Sequence, residues 1–420
     1  MKKKFKGFEQ EYYQETLENG LTLFMIPYPN KKNYFMSYAT RYGSEVFEFT
    51  DSHKKTHQPP RGVAHFLEHK MFEQEDGVDP FTYFSKSGTD SNASTSFDST
   101  QYICSGMKNF EGNLRYLLQY VNSPYFTKEN VEKEKGIIAE EIKMYEDMPD
   151  FQLEMKLREC IYEKHPRRVD IAGEVEDIMQ ITKEDLYACY ENFYVPNNMF
   201  LLIVGNFDPE EAKKIVEEEL GKKKKKALPK VKSVKEKEEV FEKRKELSLP
   251  VEVPKIGFGL KVSTKAFKMK ELELNYYLSM LTSLLFGSSS LFLDFVRKEK
   301  IMNGYYMDWE VIKDFRVFYF MANSMDPDAL EKEMLQAWKK MDITEEAFER
   351  MKKVWIAREV RMSDDIDAME SNSYDDIVQY GEIIPNKIDI IKKLEFQKLK
   401  EIIKKINFKN YSIVKVNCVK

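Results

Sequence analysis

The chain has 420 residues, of which 42% are hydrophobic and 13% aromatic, so it contains enough apolar material for two domains with separate cores. Its formal net charge of −5 at pH 7 provides no overall basic field that would attract phosphates. These properties exclude nucleic acid as the main partner.

The predicted strands lie near the start and in the middle of the chain. Asn19 followed by Gly20 predicts a hairpin turn, because this pair favours the tight turn between two strands. Strands are expected at residues 21–26 and 34–42, and a buried strand is expected at residues 200–204.

The predicted helices fill most of the space between these strands. Their apolar residues recur at helical spacing, centred on residues 64, 81 and 113 or spanning residues 127–145, 152–162 and 182–193. Thr182 opens the last of these with a capping box, and Asp208 followed by Pro209 starts a further helix. This order of elements predicts the α+β class, with an antiparallel or mixed sheet packed against helices.

The most informative segment is residues 65–69, which read His-Phe-Leu-Glu-His. In a helix, His65 and His69 lie one turn apart on the same face, so both imidazoles could bind a single metal ion. Glu68 would lie beside that ion, in the order that zinc peptidases use for a general base between two ligands. A surface helix can also carry two histidines without a metal, but the apolar neighbours here indicate a helix packed against a core, which favours a metal site.

The helix at residues 127–145 offers acidic candidates for a third ligand. Glu134 and Glu141 are two turns apart and therefore share a face. Glu141 lies among isoleucines, which indicates that its part of the helix is packed. Glutamate-rich helices are most often solvated, so this spacing alone predicts a shared face and no more.

Four separate motifs resemble the inverzincin zinc peptidases, the family that includes pitrilysin, insulin-degrading enzyme and the mitochondrial processing peptidase. They span residues 62–72, 91–95, 134–141 and 194–199. The resemblance implies one zinc ion per chain, two homologous domains that form half of a clamshell, and zinc-dependent peptide hydrolysis. It further implies that Glu141 is the third zinc ligand and that Glu134 orients a ligand histidine.

The motif at residues 91–95 lies in a polar stretch of small side chains. Interpreted from its residues alone, this stretch is a loop or an exposed strand. The resemblance implies an edge strand to which a substrate peptide adds itself as one more strand. The substrate-binding residues would then be Asn92, Ala93, Ser94 and Thr95.

Residues 222–250 are rich in Lys and Glu and show almost no apolar periodicity, which predicts a solvated linker. The linker would separate a zinc-bearing domain at residues 1–221 from a second domain at residues 251–420. A basic patch for nucleic acid or membrane is the less favoured alternative, because interleaved glutamates weaken its field.

The second domain is predicted to be a degenerate copy of the first. Residues 344–362 align with residues 127–145 without a gap, and Met351 and Arg358 occupy the positions of the two glutamates. No histidine follows His165, so this half cannot build a histidine-based zinc site.

The resemblance also implies an arginine and a tyrosine that contact the substrate carbonyl. Arg297 matches the arginine, and Tyr305 or Tyr306 would supply the tyrosine after a small shift from Gly304. In this family such residues face the zinc of a paired subunit. The expected partner is therefore a second copy of the chain or a homologue without the metal motif, as a homodimer or a heterodimer.

These features together predict a zinc-dependent endopeptidase that cleaves unfolded peptides, or a peptide precursor, in a chamber formed by two subunits. A non-catalytic assembly subunit and a metal-binding regulatory module remain as alternatives. The chain begins without the apolar run of a signal peptide, no segment reaches the ~20 apolar residues of a membrane span, and the four cysteines lack C-x-x-C spacing. We therefore expect a cytoplasmic protein with no membrane partner.

Overall fold

The structure is a computed structural model that describes residues 2–419. Its strands, in chain order, are β1 (Lys2–Lys4), β2 (Glu11–Thr16), β3 (Thr22–Pro27), β4 (Tyr34–Thr40), β5 (Phe49–Thr50), β6 (Thr56–His57), β7 (Asp90–Thr95), β8 (Thr100–Gly106), β9 (Met199–Gly205), β10 (Lys230–Val231), β11 (Arg244–Leu249), β12 (Lys255–Ser263), β13 (Met302–Ile312), β14 (Phe315–Ser324) and β15 (Tyr411–Cys418).

Its α-helices, in the same order, are α1 (Val63–Lys70), α2 (Pro80–Ser85), α3 (Phe110–Val121), α4 (Lys128–Glu146), α5 (Pro149–Ile161), α6 (Val175–Ile178), α7 (Lys183–Phe193), α8 (Pro209–Leu220), α9 (Glu271–Phe286), α10 (Leu291–Lys298), α11 (Pro327–Lys340), α12 (Glu345–Met362), α13 (Ile366–Tyr380), α14 (Lys387–Lys393) and α15 (Phe396–Ile403). The predicted capping box at Thr182 and the helix start at Asp208 and Pro209 are confirmed.

The described residues form two compact units whose boundaries differ from the predicted domains. The first unit contains residues 2–143, 170–233 and 360–386, and the second contains residues 144–169, 234–359 and 387–419. Each half of the chain therefore gives one segment to the other unit. A sequence pattern shows that a helix has an apolar face, but it does not show which sheet covers that face.

The segment predicted as a solvated linker contains two strands. β10 pairs antiparallel with β5 in the first unit, and β11 pairs parallel with β15 in the second. Both strands leave most of their side chains exposed, so their backbone pairing requires no alternation of apolar residues. This is why their composition resembled that of a linker.

The first unit is built on a seven-stranded sheet with the order β1-β2-β3-β9-β4-β8-β7. β3 and β9 are parallel, and the other neighbours are antiparallel. The predicted turn at Asn19 and Gly20 joins β2 to β3, and Gly20 adopts the left-handed conformation with φ +91°. β7 lies at the edge of this sheet, so one side of its backbone has no strand neighbour.

Both faces of the first sheet are covered. Leu23 and Met25 of β3 belong to the core that also contains residues of α1, α3, α4, α7 and α8. Phe24 and Ile26, which point to the opposite face, pack with residues of α13. The central strands of the sheet are therefore buried on both faces, whereas β1 and β7 at its two edges are more exposed.

The second unit repeats this architecture. Its five-stranded sheet has the order β11-β15-β12-β14-β13, with the same directions as β3-β9-β4-β8-β7. Thr127 and Thr344, which are matched in the repeat alignment, each accept a hydrogen bond at 3.1 Å from the backbone N–H three residues later. These observations confirm the two homologous α+β domains.

One apolar stretch was missed at the sequence level. Glu271–Lys298, which includes α9 and α10, is long and apolar enough to cross a membrane by length and composition, with a hydropathy of 1.4. In the structure 61% of its apolar window is buried, and leucines of α9 lie in the core of the second unit. Such burial is typical of a core helix.

Candidate metal centre

The position of α1 is set by a close backbone approach immediately before it. Gly62 precedes the helix with φ +79°, and a Cβ at this position would lie 2.0 Å from the carbonyl oxygen of Ala172. Only glycine fits this conformation and this space. α1 begins at Val63, directly after Gly62.

The helix packs as its sequence predicted. Val63, Phe66 and Leu67 are buried in the core of the first unit. His65 and His69 retain partial exposure, and their ring centroids lie 4.6 Å apart. The two imidazoles are therefore neighbours on the less buried side of α1.

The structure brings Glu141 of α4 to these two histidines. One ligand atom from each of the three residues lies within 4.8 Å of the others. The Nε2 atom of His69 is 3.4 Å from Glu141 Oε2, and that of His65 is 3.9 Å from Glu141 Oε1. Two donors on a tetrahedral zinc ion with bonds of about 2.0–2.1 Å are separated by about 3.3–3.4 Å, which the distance between His69 and Glu141 matches, while the other distances are longer. Two imidazoles and one carboxylate are ligands that zinc commonly takes, so the donor set fits zinc.

The electrostatic environment also suits a metal. Burial, assisted by the neighbouring His69, lowers the pKa of His65 to about 3. His65 is thus held neutral, which is the form of imidazole that binds metal ions. Its buried Nδ1 has no hydrogen-bond partner among the described residues, whereas its Nε2 faces Glu141.

A second carboxylate, that of Glu134, contacts the ring nitrogen of His69 that does not face Glu141. The Nδ1 atom of His69 lies 3.2 Å from Oε1 of Glu134. Burial alone would raise the pKa of Glu134, but the hydrogen bond with His69 and the charge of Lys70 hold it below its usual value. Burial would likewise lower the pKa of His69, but the hydrogen bond to Glu134 and the surrounding carboxylates raise it. Donation from Nδ1 to Glu134 leaves Nε2 directed towards Glu141.

Glu68 lies beside this group and is only 8% exposed. Burial raises the pKa of its carboxyl group. One carboxylate oxygen, Oε2, accepts a hydrogen bond of 2.7 Å from the hydroxyl of Thr95 at the end of β7. The carboxylate that would act as the base is therefore hydrogen-bonded directly to a side chain of the edge strand.

The predicted substrate strand is a strand in the structure, and it lies at the sheet edge. The N–H of Ala93 donates to the side chain of Asn92 at 2.9 Å, and Ser94 accepts a hydrogen bond from Gln101 at 3.0 Å. Thr95 contacts Glu68 and so has a role that the sequence did not suggest. That these residues bind substrate remains a prediction.

The residues expected to contact the substrate carbonyl lie in the second unit. Arg297 is in the last turn of α10, and both tyrosines are in β13, which is the edge strand of the second sheet. Tyr305 packs on Phe320, with ring centroids 5.4 Å apart. Tyr306 is 55% exposed, so it is the more accessible of the two tyrosines.

Sequence reasoning missed Lys70. This residue follows His69 directly and is fully buried, with its Nζ 3.6 Å from Oε2 of Glu134 and an ion pair to Glu73. A lysine at a position where the helix faces its core was the signal that could have identified it, because lysine is rarely buried without a partner.

Comparison with known proteins agrees with this geometry. Residues 55–174 match the family model described as insulinase (peptidase family M16), and residues 180–354 match the peptidase M16 inactive domain. The chain is 38% identical over 404 residues to the uncharacterised zinc protease YmfH of Bacillus subtilis (strain 168), an alignment that covers 93% of this chain and 92% of the relative.

Two solved structures show the same fold. An M16-like peptidase from Alicyclobacillus acidocaldarius superposes with a TM-score of 0.92 at 32% identity, over 98% of this chain and 99% of the other. Pitrilysin superposes with a TM-score of 0.77 at 16% identity, over 99% of this chain but only 46% of the pitrilysin chain. In fold, this chain thus corresponds to about half of pitrilysin.

Proposed function

Because the chain belongs to peptidase family M16, we propose that it is a zinc-dependent endopeptidase that hydrolyses extended peptides. The observation that carries this proposal is the meeting of His65, His69 and Glu141 next to the buried carboxylate of Glu68. Three protein ligands leave a fourth tetrahedral position open, as in catalytic rather than structural zinc sites.

His65, His69 and Glu141 would hold the zinc ion. When bound, zinc supplies Lewis acidity, which polarises the scissile carbonyl and makes water easier to deprotonate. Glu68 would take the proton from that water on a carboxylate oxygen and deliver it to the leaving amine. Its partly desolvated carboxyl, with a raised pKa, is better suited to exchanging a proton near neutral pH than an exposed glutamate is.

The edge strand β7 supports an extended peptide as substrate. A peptide that pairs with the open side of β7 would run past Thr95, which contacts the base. Main-chain pairing gives affinity with little dependence on sequence, so unfolded peptides and a flexible peptide precursor are both suitable substrates. A folded protein would be excluded, because its backbone groups are already paired.

We further propose that two subunits form the complete chamber. The chain matches only about half of pitrilysin in fold, and one of its two units carries the metal residues. In the proposed pair, Arg297 and one of Tyr305 and Tyr306 contact substrate held at the metal centre of the partner. The partner is a second copy or a homologue that lacks the metal motif.

The test is cleavage of an unstructured peptide that carries a fluorophore and a quencher. Zinc-loaded protein should cleave it, a chelator should abolish cleavage, and Glu68→Gln should keep its zinc but lose about 10²–10⁴ in turnover. Cleavage that persists in the Glu68→Gln variant would contradict the assigned base. Zinc binding without cleavage, by the chain alone or with a homologous partner, would favour the regulatory or non-catalytic assembly role.

The third ligand is tested by metal content with a matched pair of variants. Glu141→Ala should lose zinc, whereas Glu140→Ala should retain it. Glu140 directly precedes Glu141 on the same helix, but its side chain is 76% exposed and pairs with Lys143 at 2.8 Å. The opposite result would assign the ligand to Glu140.

A further inference from the structure

Two carboxylates, those of Glu134 and Glu141, approach the same histidine of the metal centre. They lie two turns apart on the same face of α4, and both approach His69, Glu134 at Nδ1 and Glu141 at Nε2. A carboxylate on either could coordinate a metal ion. The surroundings must therefore determine which carboxylate accepts the hydrogen bond from His69 and which one binds the metal.

Lys70 is a charged neighbour that Glu134 has and Glu141 lacks among the described residues. Its Nζ lies 3.6 Å from Oε2 of Glu134, and it also forms an ion pair with Glu73. Within the described part of the chain, no lysine or arginine lies within ion-pair distance of Glu141, whose carboxylate instead faces the two histidines. Glu134 therefore has one oxygen on His69 and the other towards Lys70.

The burial of Lys70 makes this arrangement strong. Its side chain is fully buried, while that of Glu134 is 13% exposed. A buried ammonium group is costly unless it is paired, so the position is tolerable because Glu73 and Glu134 are present. The low local polarity in turn makes the attraction between Lys70 and Glu134 stronger than that of a surface pair.

The local charges nearly balance. The carboxylates of Glu68, Glu73, Glu134 and Glu141 carry four negative charges, and Lys70 with a divalent ion supplies three positive charges. The side chain of Glu73 is 42% exposed, so water screens its charge, and Lys70 is the cationic side chain nearest the more buried carboxylate of Glu134. The histidines contribute no charge when they bind metal, because a ligand imidazole is neutral.

We infer that Lys70 is a positioning residue that holds the Glu134 carboxylate in place as the hydrogen-bond acceptor of His69. This inference rests on the proposed zinc centre. Lys70 touches neither metal nor substrate and acts through Glu134. Removing its amine frees the carboxylate to turn away, and His69 loses the acceptor that fixes its ring.

The direction in which loss of the Lys70 amine changes zinc affinity follows from two opposing effects. Loss of a positive charge would by itself favour a cation, but the charge of Lys70 is largely offset by Glu73 and Glu134. Loss of a carboxylate that orients a ligand histidine costs about 10–100-fold in metal affinity. The loss of orientation should therefore dominate, and zinc binding should weaken.

The experiment measures zinc dissociation constants of the full chain by competition with a chromophoric chelator. Lys70→Met, which preserves length but removes charge, should weaken zinc binding by about 10-fold or more. Lys135→Met is the matched control. Lys135 is also a nearly buried lysine, but its ammonium group pairs with Glu132 at 2.7 Å and, among the described residues, forms no ion pair with Glu134 or Glu141. This control should bind zinc like the wild type.

A double variant tests whether Lys70 acts through Glu134. Glu134→Gln should weaken zinc binding, and adding Lys70→Met to it should produce little further loss. A purely structural lysine would lower the melting temperature of the metal-free protein without this dependence. Wild-type or tighter zinc binding by folded Lys70→Met would overturn the inference, as would additive losses in the double variant. Failure of the wild type to bind zinc would instead refute the zinc centre itself.

Discussion

The close approach at Gly62 allows one prediction to be worked out from distances. In Gly62→Ala, the added methyl group would lie 2.0 Å from the carbonyl oxygen of Ala172 and 2.7 Å from Cδ1 of Ile178. The positive φ costs alanine about 1–2 kcal/mol. Overpacking of a tight site adds about 1–3 kcal/mol. We expect a total loss of about 2–5 kcal/mol in the free energy of unfolding.

Gly77→Ala separates these two contributions. Gly77 has φ +72°, close to that of Gly62, but a Cβ there would meet nothing within 4 Å. This variant should therefore lose only the conformational part, about 1–2 kcal/mol. The difference between the two variants measures the steric contact with Ala172.

The assay is urea unfolding of the metal-free variants, followed by zinc titration of the folded protein. Because Gly62 precedes α1 and lies three residues before His65, relief of the clash should displace the helix and weaken zinc binding as well. Gly77→Ala should bind zinc normally. If Gly62→Ala loses no more stability than Gly77→Ala, the close approach and the argument built on it are wrong.

Three further predictions follow from other contacts. Thr95→Val removes a hydrogen bond to the carboxylate of Glu68, so it should lower kcat by about 10-fold with little change in KM or zinc affinity. Thr95→Ser should restore kcat, and an unchanged kcat in the valine variant would contradict this prediction. If the chain pairs with itself, inactive Arg297→Ala and Glu68→Gln chains mixed in equal amounts should recover about a quarter of wild-type activity, since half of the pairs are mixed and each has one complete site; no recovery by a stable dimer would exclude sites shared between subunits. Burial raises the pKa of Glu370 in α13 from 4.5 to about 7, so the folded state binds this proton more tightly and the free energy of unfolding falls as the pH rises through that range. Glu370→Gln should therefore be more stable than the wild type at pH 8, by at most about 3 kcal/mol. Equal urea midpoints for the two proteins would show that the pKa of this carboxyl group is not raised.

Much of the metal centre was predictable because its essential spacing is local. His65, Glu68 and His69 lie within five residues, and helical geometry alone places the two imidazoles one turn apart. Glu141 was identified by resemblance to a family and not by spacing, because the same helix contains many other glutamates.

The contacts that refine the site could not be predicted in the same way. Thr95 meets Glu68, and Lys70 meets Glu134, across large separations in sequence. No periodicity connects such pairs. They form only when α1, β7 and α4 are packed on one sheet, which fixes side chains from three separate segments within hydrogen-bonding distance.

The sequence by itself determined the α+β class, the packed helix that carries the metal motif and the duplication of the chain, because each of these depends on short-range patterns of apolar and polar residues. Only the tertiary structure decided that α5 belongs to the second unit and α13 to the first, and that β10 and β11 join sheets. An amphipathic helix can be buried by any complementary apolar surface, and an exposed strand pairs through its backbone. Which sheet a helix covers or a strand joins therefore depends on the packing of the whole chain, and no local sequence pattern predicts it.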